Sequence, residues 1–186
     1  MKKIVIEKRN LTPTKNAFQA LSRSIIYQQL SGKAAGTIYA RFVALWKKKF
    51  PKPEDVIAIS DDEMRSAGLS RGKIAYLKDL AAKFIDGTIN PKHFPKMSDQ
   101  EIIDHLTQVK GIGVWTAHMF LIFSLNRPDI LPVGDLAIKK GFMKAFGLRT
   151  MPTEAKMIAL AKDHIGNRTY LSLHLWKLMD EGTGDW

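Results

Sequence analysis

The sequence predicts an all-α fold, and three observations carry that reading. Apolar residues recur three and four apart through most of the chain from Pro13 onward. Ser, Thr and Asp residues suited to capping open many of these runs, and Gly or Pro closes them. No stretch alternates apolar and polar residues as a half-buried strand would, and no repeat of solenoid period is present.

Taken in order, residues 3–7 read as a short strand or an extended arm. Phe18, Leu21, Ile25, Ile26 and Leu30 place a first amphipathic helix over about 14–30. Ser31 can cap the second, with Ala34, Ala35, Ile38, Tyr39, Phe42 and Leu45 on one face. Lys47, Lys48 and Lys49 form its exposed end, and Pro51 and Pro53 stop it. Pro53 to Ala58 opens with proline and acids, which suits a helix N-terminus. Ser60 and Asp61 cap another short helix to Ala67, and residues 68–72 turn the chain. A longer helix from Lys73 to Asp86 points Ile74, Leu77, Leu80, Ala81 and Phe84 inward. After a proline-bearing linker, Ser98 and Glu101 fit a capping box. Beyond Asp135 a helix runs to about Phe146 with Gly147 as its C-cap, Thr153 starts another, and Asn167 to Glu181 forms the last. Residues 182–186 read as a loose tail.

Composition narrows the function. Lys and Arg number 29 against 18 Asp and Glu, a net charge of +11, which favours a polyanionic partner. Cysteine is absent, which excludes disulfides, thiolate catalysis, iron–sulfur clusters and thiolate zinc sites. The five histidines show no ligand spacing, so no catalytic metal is expected. No segment approaches the roughly 18 apolar residues of a membrane span, and the N-terminus lacks a signal-peptide core. A soluble intracellular protein without membrane contact is the expectation.

The most informative stretch is 106–120, where two apolar periodic runs flank Val109-Lys110-Gly111-Ile112-Gly113. Paired glycines between helices suggest a turn presenting N–H groups outward, and the following helix start adds amides suited to an anion. Asp135 follows 24 residues after Gly111.

Val109-Lys-Gly-Ile-Gly-Val-Trp-Thr-Ala117 with Leu131-Pro-Val-Gly-Asp135 resembles the helix-hairpin-helix (HhH-GPD) DNA glycosylases, and most of all their 3-methyladenine branch (DNA-3-methyladenine glycosylase II type). Ile25-Ile-Tyr-Gln-Gln-Leu-Ser31 with Lys33-Ala-Ala35, and Ala67-Gly-Leu-Ser70 with Lys73, Tyr76 and Leu77, extend the resemblance to about residues 15–180. It implies one domain, 1–186, of two helical lobes with a DNA-binding cleft and no extra N-terminal β-rich lobe. Segments of about 1–15 and 125–186 would share one lobe, and about 20–124 would form most of the other. The implied activity is base-excision repair: hydrolysis of the N-glycosidic bond of alkylated purines flipped out of duplex DNA. The implied partner is damaged double-stranded DNA, bound by a monomer that is cytoplasmic in a prokaryote or nuclear in a eukaryote. Another lesion (hypoxanthine, an etheno base, uracil or an oxidised base) is the alternative substrate, and a non-catalytic DNA-binding module is the alternative class.

The resemblance carries site roles residue by residue. Asp135 would stabilise charge developing on the sugar, although Gly134-Asp135 before Leu136 equally suits a helix N-cap. Trp115 stands where the family's lyases carry the amine nucleophile, so no Schiff-base chemistry is expected. Trp115 and Met119 would line the base pocket, with an inward core tryptophan as the other reading. Gly111, Gly113, Lys110 and Thr116 would hold the DNA backbone. Gln29, with Leu30, would fill the gap left by the extruded nucleotide, or else simply end a helix. Carbonyls of Thr107, Val109 and Ile112 would hold a structural sodium or potassium ion, with no cofactor for the chemistry. His164-Ile-Gly-Asn-Arg168 departs from the tryptophan- and proline-rich segment of many relatives, which leaves one aromatic wall in question. Phe18, Tyr39, Trp46 and Trp176 are aromatics that could line the cleft, but each lies in an apolar helical face, which favours core.

Overall fold

The computed structural model describes residues 14, 16–47 and 49–179. The expected strand or arm at 3–7, residues 1–13 of the expected terminal segment and the tail at 182–186 lie outside the described residues. Within them there is no strand. Ten α-helices follow one another: α1 Ala17–Tyr27, α2 Gly32–Ala44, α3 Pro53–Ala58, α4 Asp61–Ser66, α5 Arg71–Ile85, α6 Asp99–Leu106, α7 Val114–Phe123, α8 Leu136–Phe146, α9 Glu154–Leu160 and α10 Arg168–Met179. Two single 3₁₀ turns, Phe94–Lys96 and Lys162–His164, interrupt the connections. None of the helices is long and apolar enough to cross a membrane among the described residues.

Side-chain caps set most of the boundaries. Asn16, Ser31, Ser60, Ser70, Ser98, Asp135 and Thr153 each accept a hydrogen bond from the backbone N–H three residues on, which satisfies an amide the helix start leaves open. Ser60 with Glu63 and Ser98 with Glu101 complete capping boxes. Two expected boundaries move. α5 starts at Arg71 because Ser70 caps it, and α1 ends at Tyr27 rather than near residue 30. There Gln28 turns extended (ψ 133°) and Gln29 takes a left-handed φ of 57°.

The chain folds as two compact units, described separately: residues 14–120, and residues 121 onward. In the unit of residues 14–120, α5 packs against α1, α3 and α4, and α1 against α2. Leu21, Ile25 and Ile26 of α1 and Leu77, Leu80 and Ala81 of α5 are fully buried. A large side chain of this kind stabilises the fold by about 1.5–3 kcal/mol. Phe18 meets Phe84 edge-on at 5.1 Å, and Phe50 joins Phe18, Tyr39 and Phe42. The second helix differs from expectation at Ala34, which is exposed while Ala35 is buried. In the unit from residue 121, α8 packs on α10. Gly141 allows the close approach, since a Cβ there would lie 2.9 Å from Leu175 Cβ and 3.1 Å from its carbonyl oxygen.

Candidate functional site

In the unit of residues 14–120, α6 and α7 flank the turn 107–113. Gly111 has φ 81°, which an L side chain rarely adopts, and the Tyr76 ring lies against it. A Cβ on Gly111 would fall 2.2 Å from Tyr76 Cδ2. Gly113 is the opposite case: its φ is not positive and a Cβ there would meet nothing within 4 Å. Its carbonyl accepts from Ala117 N–H at 3.0 Å, which makes Gly113 the residue that starts α7.

The turn's amides divide cleanly. Lys110 N–H donates to Asp79 Oδ2 at 2.8 Å, and Ile112 N–H donates to Val109 O at 3.0 Å. Among the described residues, the N–H groups of Gly111, Gly113 and Val114 reach no protein acceptor, and all three residues are exposed. Neighbouring outward N–H groups at a helix start form a concavity that suits an anion. Val109 and Ile112 bury their side chains, which anchors the turn from below.

The turn is also tied to residues 28–30. Gln28 Nε2 donates to Gly111 O at 2.8 Å. Lys73 Nζ donates to Ile26 O at 2.6 Å and Gln28 O at 2.9 Å, which satisfies carbonyls at the α1 end. Burial pushes the Lys73 pKa below the usual lysine value. Gln29 holds a backbone conformation that costs a non-glycine residue about 1–3 kcal/mol, and its neighbour Leu30 is exposed.

In the unit from residue 121, Asp135 starts α8. Its Oδ1 accepts from Ile138 N–H at 2.9 Å and from Trp176 Nε1 at 3.3 Å. Trp176 in turn stacks on Phe123 with centroids 6.0 Å apart. The loop before Asp135 is held along one flank of α10. The Arg168 guanidinium grips Asp129 by Nε to Oδ1 at 2.6 Å and Nη2 to Oδ2 at 2.7 Å, and the Arg168 N–H adds a third bond to Oδ1 at 3.2 Å. Buried Thr169 donates its hydroxyl to Arg127 O and accepts from Ile130 N–H, and Ser172 donates to Ile130 O. A fork of this kind fixes direction as well as distance, so the carboxylate is delivered on a braced loop.

The model of a family described as "HhH-GPD superfamily base excision DNA repair protein" matches residues 22–166, which include the hairpin, the braced loop and Asp135. The chain belongs to the HhH-GPD superfamily. It is 38% identical to DNA-3-methyladenine glycosylase 1 of Schizosaccharomyces pombe over 88% of this chain and 72% of that protein. A solved Schizosaccharomyces pombe 3-methyladenine DNA glycosylase in complex with abasic DNA superposes with a TM-score of 0.81 at 35% identity, covering 96% of this chain and 88% of that one. A DNA-3-methyladenine glycosidase from Bacillus halodurans gives a TM-score of 0.85 at 36% identity, covering 94% and 80%.

Within this HhH-GPD chain the expected site residues separate into groups. Lys110, Gly111 and Gly113 lie at the exposed turn, and Gln29 and Leu30 lie exposed on the loop tied to it. Trp115 is 51% exposed, so it is not a core tryptophan. Met119, one turn further along α7, is half-buried. Thr116 lies in the first turn of α7 with its side chain enclosed at 5% exposure, so it offers the DNA backbone its N–H rather than its hydroxyl. Asp135 satisfies the capping reading by direct hydrogen bond. Sequence reasoning gave no role to Gln28 and Lys73, though both lie in stretches that carry the resemblance, and missed Asp79 at the hairpin and the bond of Trp176 to Asp135. Trp176 is core, as expected, at 8% exposure, yet its indole N–H reaches the carboxylate. The available signal was that a buried tryptophan needs an acceptor for its N–H.

Proposed function

We propose that this chain is a monofunctional DNA N-glycosylase that removes alkylated purines of the 3-methyladenine and 7-methylguanine type, leaving an abasic site. One observation carries the reading within this family: Asp135 presents its carboxylate at the head of α8, oriented by two donors on Oδ1. As the bond from the base nitrogen to C1′ breaks, its electron pair leaves with the base and positive charge grows on the sugar. A fixed carboxylate stabilises that charge. Water then adds to C1′, and the proton it loses passes to the carboxylate or to solvent. An alkylated purine already carries positive charge, so it departs without a strong general acid. Trp115 brings no amine, so no covalent lyase intermediate forms; its exposed indole offers a face for a cationic base.

The backbone grip falls to the Gly111, Gly113 and Val114 amides, which bind a phosphate without reading sequence, with Lys110 adding charge. Gln29 and Leu30 enter the gap left by the extruded nucleotide. The carbonyls of Thr107, Val109 and Ile112 suit a sodium or potassium ion. Among the described residues Thr107 O and Ile112 O accept no hydrogen bond, Val109 O accepts only from Ile112 N–H, and all three are neutral oxygen ligands. When bound, the ion supplies positive charge that lets these carbonyl dipoles stand beside a phosphate.

The test uses methylated duplex DNA. Free 3-methyladenine or 7-methylguanine with abasic sites, and no strand nicks before alkali, is the expected outcome. Nicking without alkali would overturn the monofunctional reading. Parallel duplexes carrying hypoxanthine, an etheno base, uracil or an oxidised base complete the test, and release from those alone would overturn the substrate.

A further inference from the structure

The hairpin turn and the loop of residues 28–30 share one foundation. Along one flank of α5, Lys73, Tyr76 and Asp79 stand three residues apart, and each holds part of it. Lys73 Nζ fixes the carbonyls of Ile26 and Gln28, the Tyr76 ring lies against Gly111, and Asp79 Oδ2 takes the Lys110 amide. Gln28 closes the circuit by donating Nε2 to Gly111 O. Gln28 and Gly111 lie 83 residues apart, so nothing local requires them to meet. Between these ties sits Gln29 in its left-handed conformation, a strained state that persists only where neighbours over-determine it.

We infer that Gln28, Lys73, Tyr76 and Asp79 are positioning residues that lock loop 28–30 and hairpin turn 107–113 into one rigid body. Gln29 is thereby presented at a fixed distance from the phosphate held by the turn. Backbone capture and insertion at the extruded nucleotide then occur as one event. Separate elements would each lose freedom on binding, and that cost is removed here in the free protein. The inference rests on the glycosylase reading above, because it assigns Gln29 to insertion.

The informative variant is Gln28→Met, which keeps length and removes the donor without adding charge. Two duplexes serve as probes: an undamaged one, and one with a tetrahydrofuran abasic analogue flanked by 2-aminopurine. Wild type is expected to prefer the abasic duplex and to change the 2-aminopurine fluorescence. Gln28→Met is expected to bind undamaged duplex within about twofold of wild type. It should lose about tenfold of the abasic preference and most of the fluorescence change. A tie that merely stabilised the fold would weaken both duplexes alike, and that result would overturn the inference. So would full preference and fluorescence in Gln28→Met. Lys73→Arg should retain both signals and Lys73→Met should lose them; loss in both, with unchanged melting, counts against the carbonyl ties. A wild type without abasic preference would overturn the glycosylase reading itself, and this inference with it.

Discussion

Asp135 does two jobs in one side chain, and Asp135→Asn separates them. Asparagine keeps an Oδ1 acceptor for Ile138 N–H and Trp176 Nε1, now 2.9 and 3.3 Å away. Asn and Asp are near-equal N-caps, so the cap itself loses the charge at the head of α8, about 0.3–1 kcal/mol. For a chain of 186 residues that lowers Tm by about 1–4 °C. The chemical loss is larger. A carboxylate about 4 Å from a sugar cation, at an effective dielectric near 20, contributes about 4 kcal/mol. That corresponds to about 10³ in rate. Asp135→Ala removes the cap and strands the buried Trp176 indole as well, costing about 1.5–5 kcal/mol. The assay is single-turnover base release on methylated duplex, run beside thermal melts. Base release by Asp135→Asn within a few-fold of wild type would refute the electrostatic role. Equal destabilisation by Asn and Ala would refute the capping arithmetic.

Further outcomes follow from the same geometry. Gly111→Ala meets both a forbidden φ and the Tyr76 ring, and should cost about 2–6 kcal/mol in urea unfolding. Gly113→Ala meets open space, so its stability should change by less than about 1 kcal/mol while undamaged-duplex affinity falls in a filter-binding titration. Trp176→Phe keeps a ring for Phe123 but loses the donor to Asp135; base release should fall about 3- to 30-fold, with a stability loss of about 1.5–3 kcal/mol. The Arg168 hydrogen bond holds the Asp129 carboxyl below its usual range. The stability Asp129 contributes is therefore present above the ordinary carboxylate pKa of about 3.9 and is lost as pH falls through the lower folded value. Urea midpoints of wild type and Asp129→Asn should converge below about pH 4; a gap constant with pH would contradict this.

The helices were legible because their signals are local. Ser31, Ser60, Ser98, Asp135 and Thr153 announce starts through a bond to a residue three positions on, and Gly147 announces an end at φ 63°. The end of α1 was not legible, since the apolar spacing runs through Leu30 while the backbone turns at Gln28, whose side-chain partner lies 83 residues away. The hairpin glycines and Asp135 stood out as a motif, but the jobs of their supports did not. Lys73, Asp79 and Trp176 act through partners that no window of sequence contains. The burial of the Thr116 side chain was not legible either, because adjacency to an exposed turn says nothing about which way a helical side chain faces.

The unlike surroundings of Gly111 and Gly113 set different terms for how this protein can change over time. Gly111 is demanded by the protein's own packing, whereas nothing in the protein demands Gly113. A descendant that kept the fold but abandoned nucleic acid would still be obliged to keep the first glycine. It would be free to lose the second. The second glycine is therefore the position to inspect when asking whether a hairpin of this lineage still meets DNA.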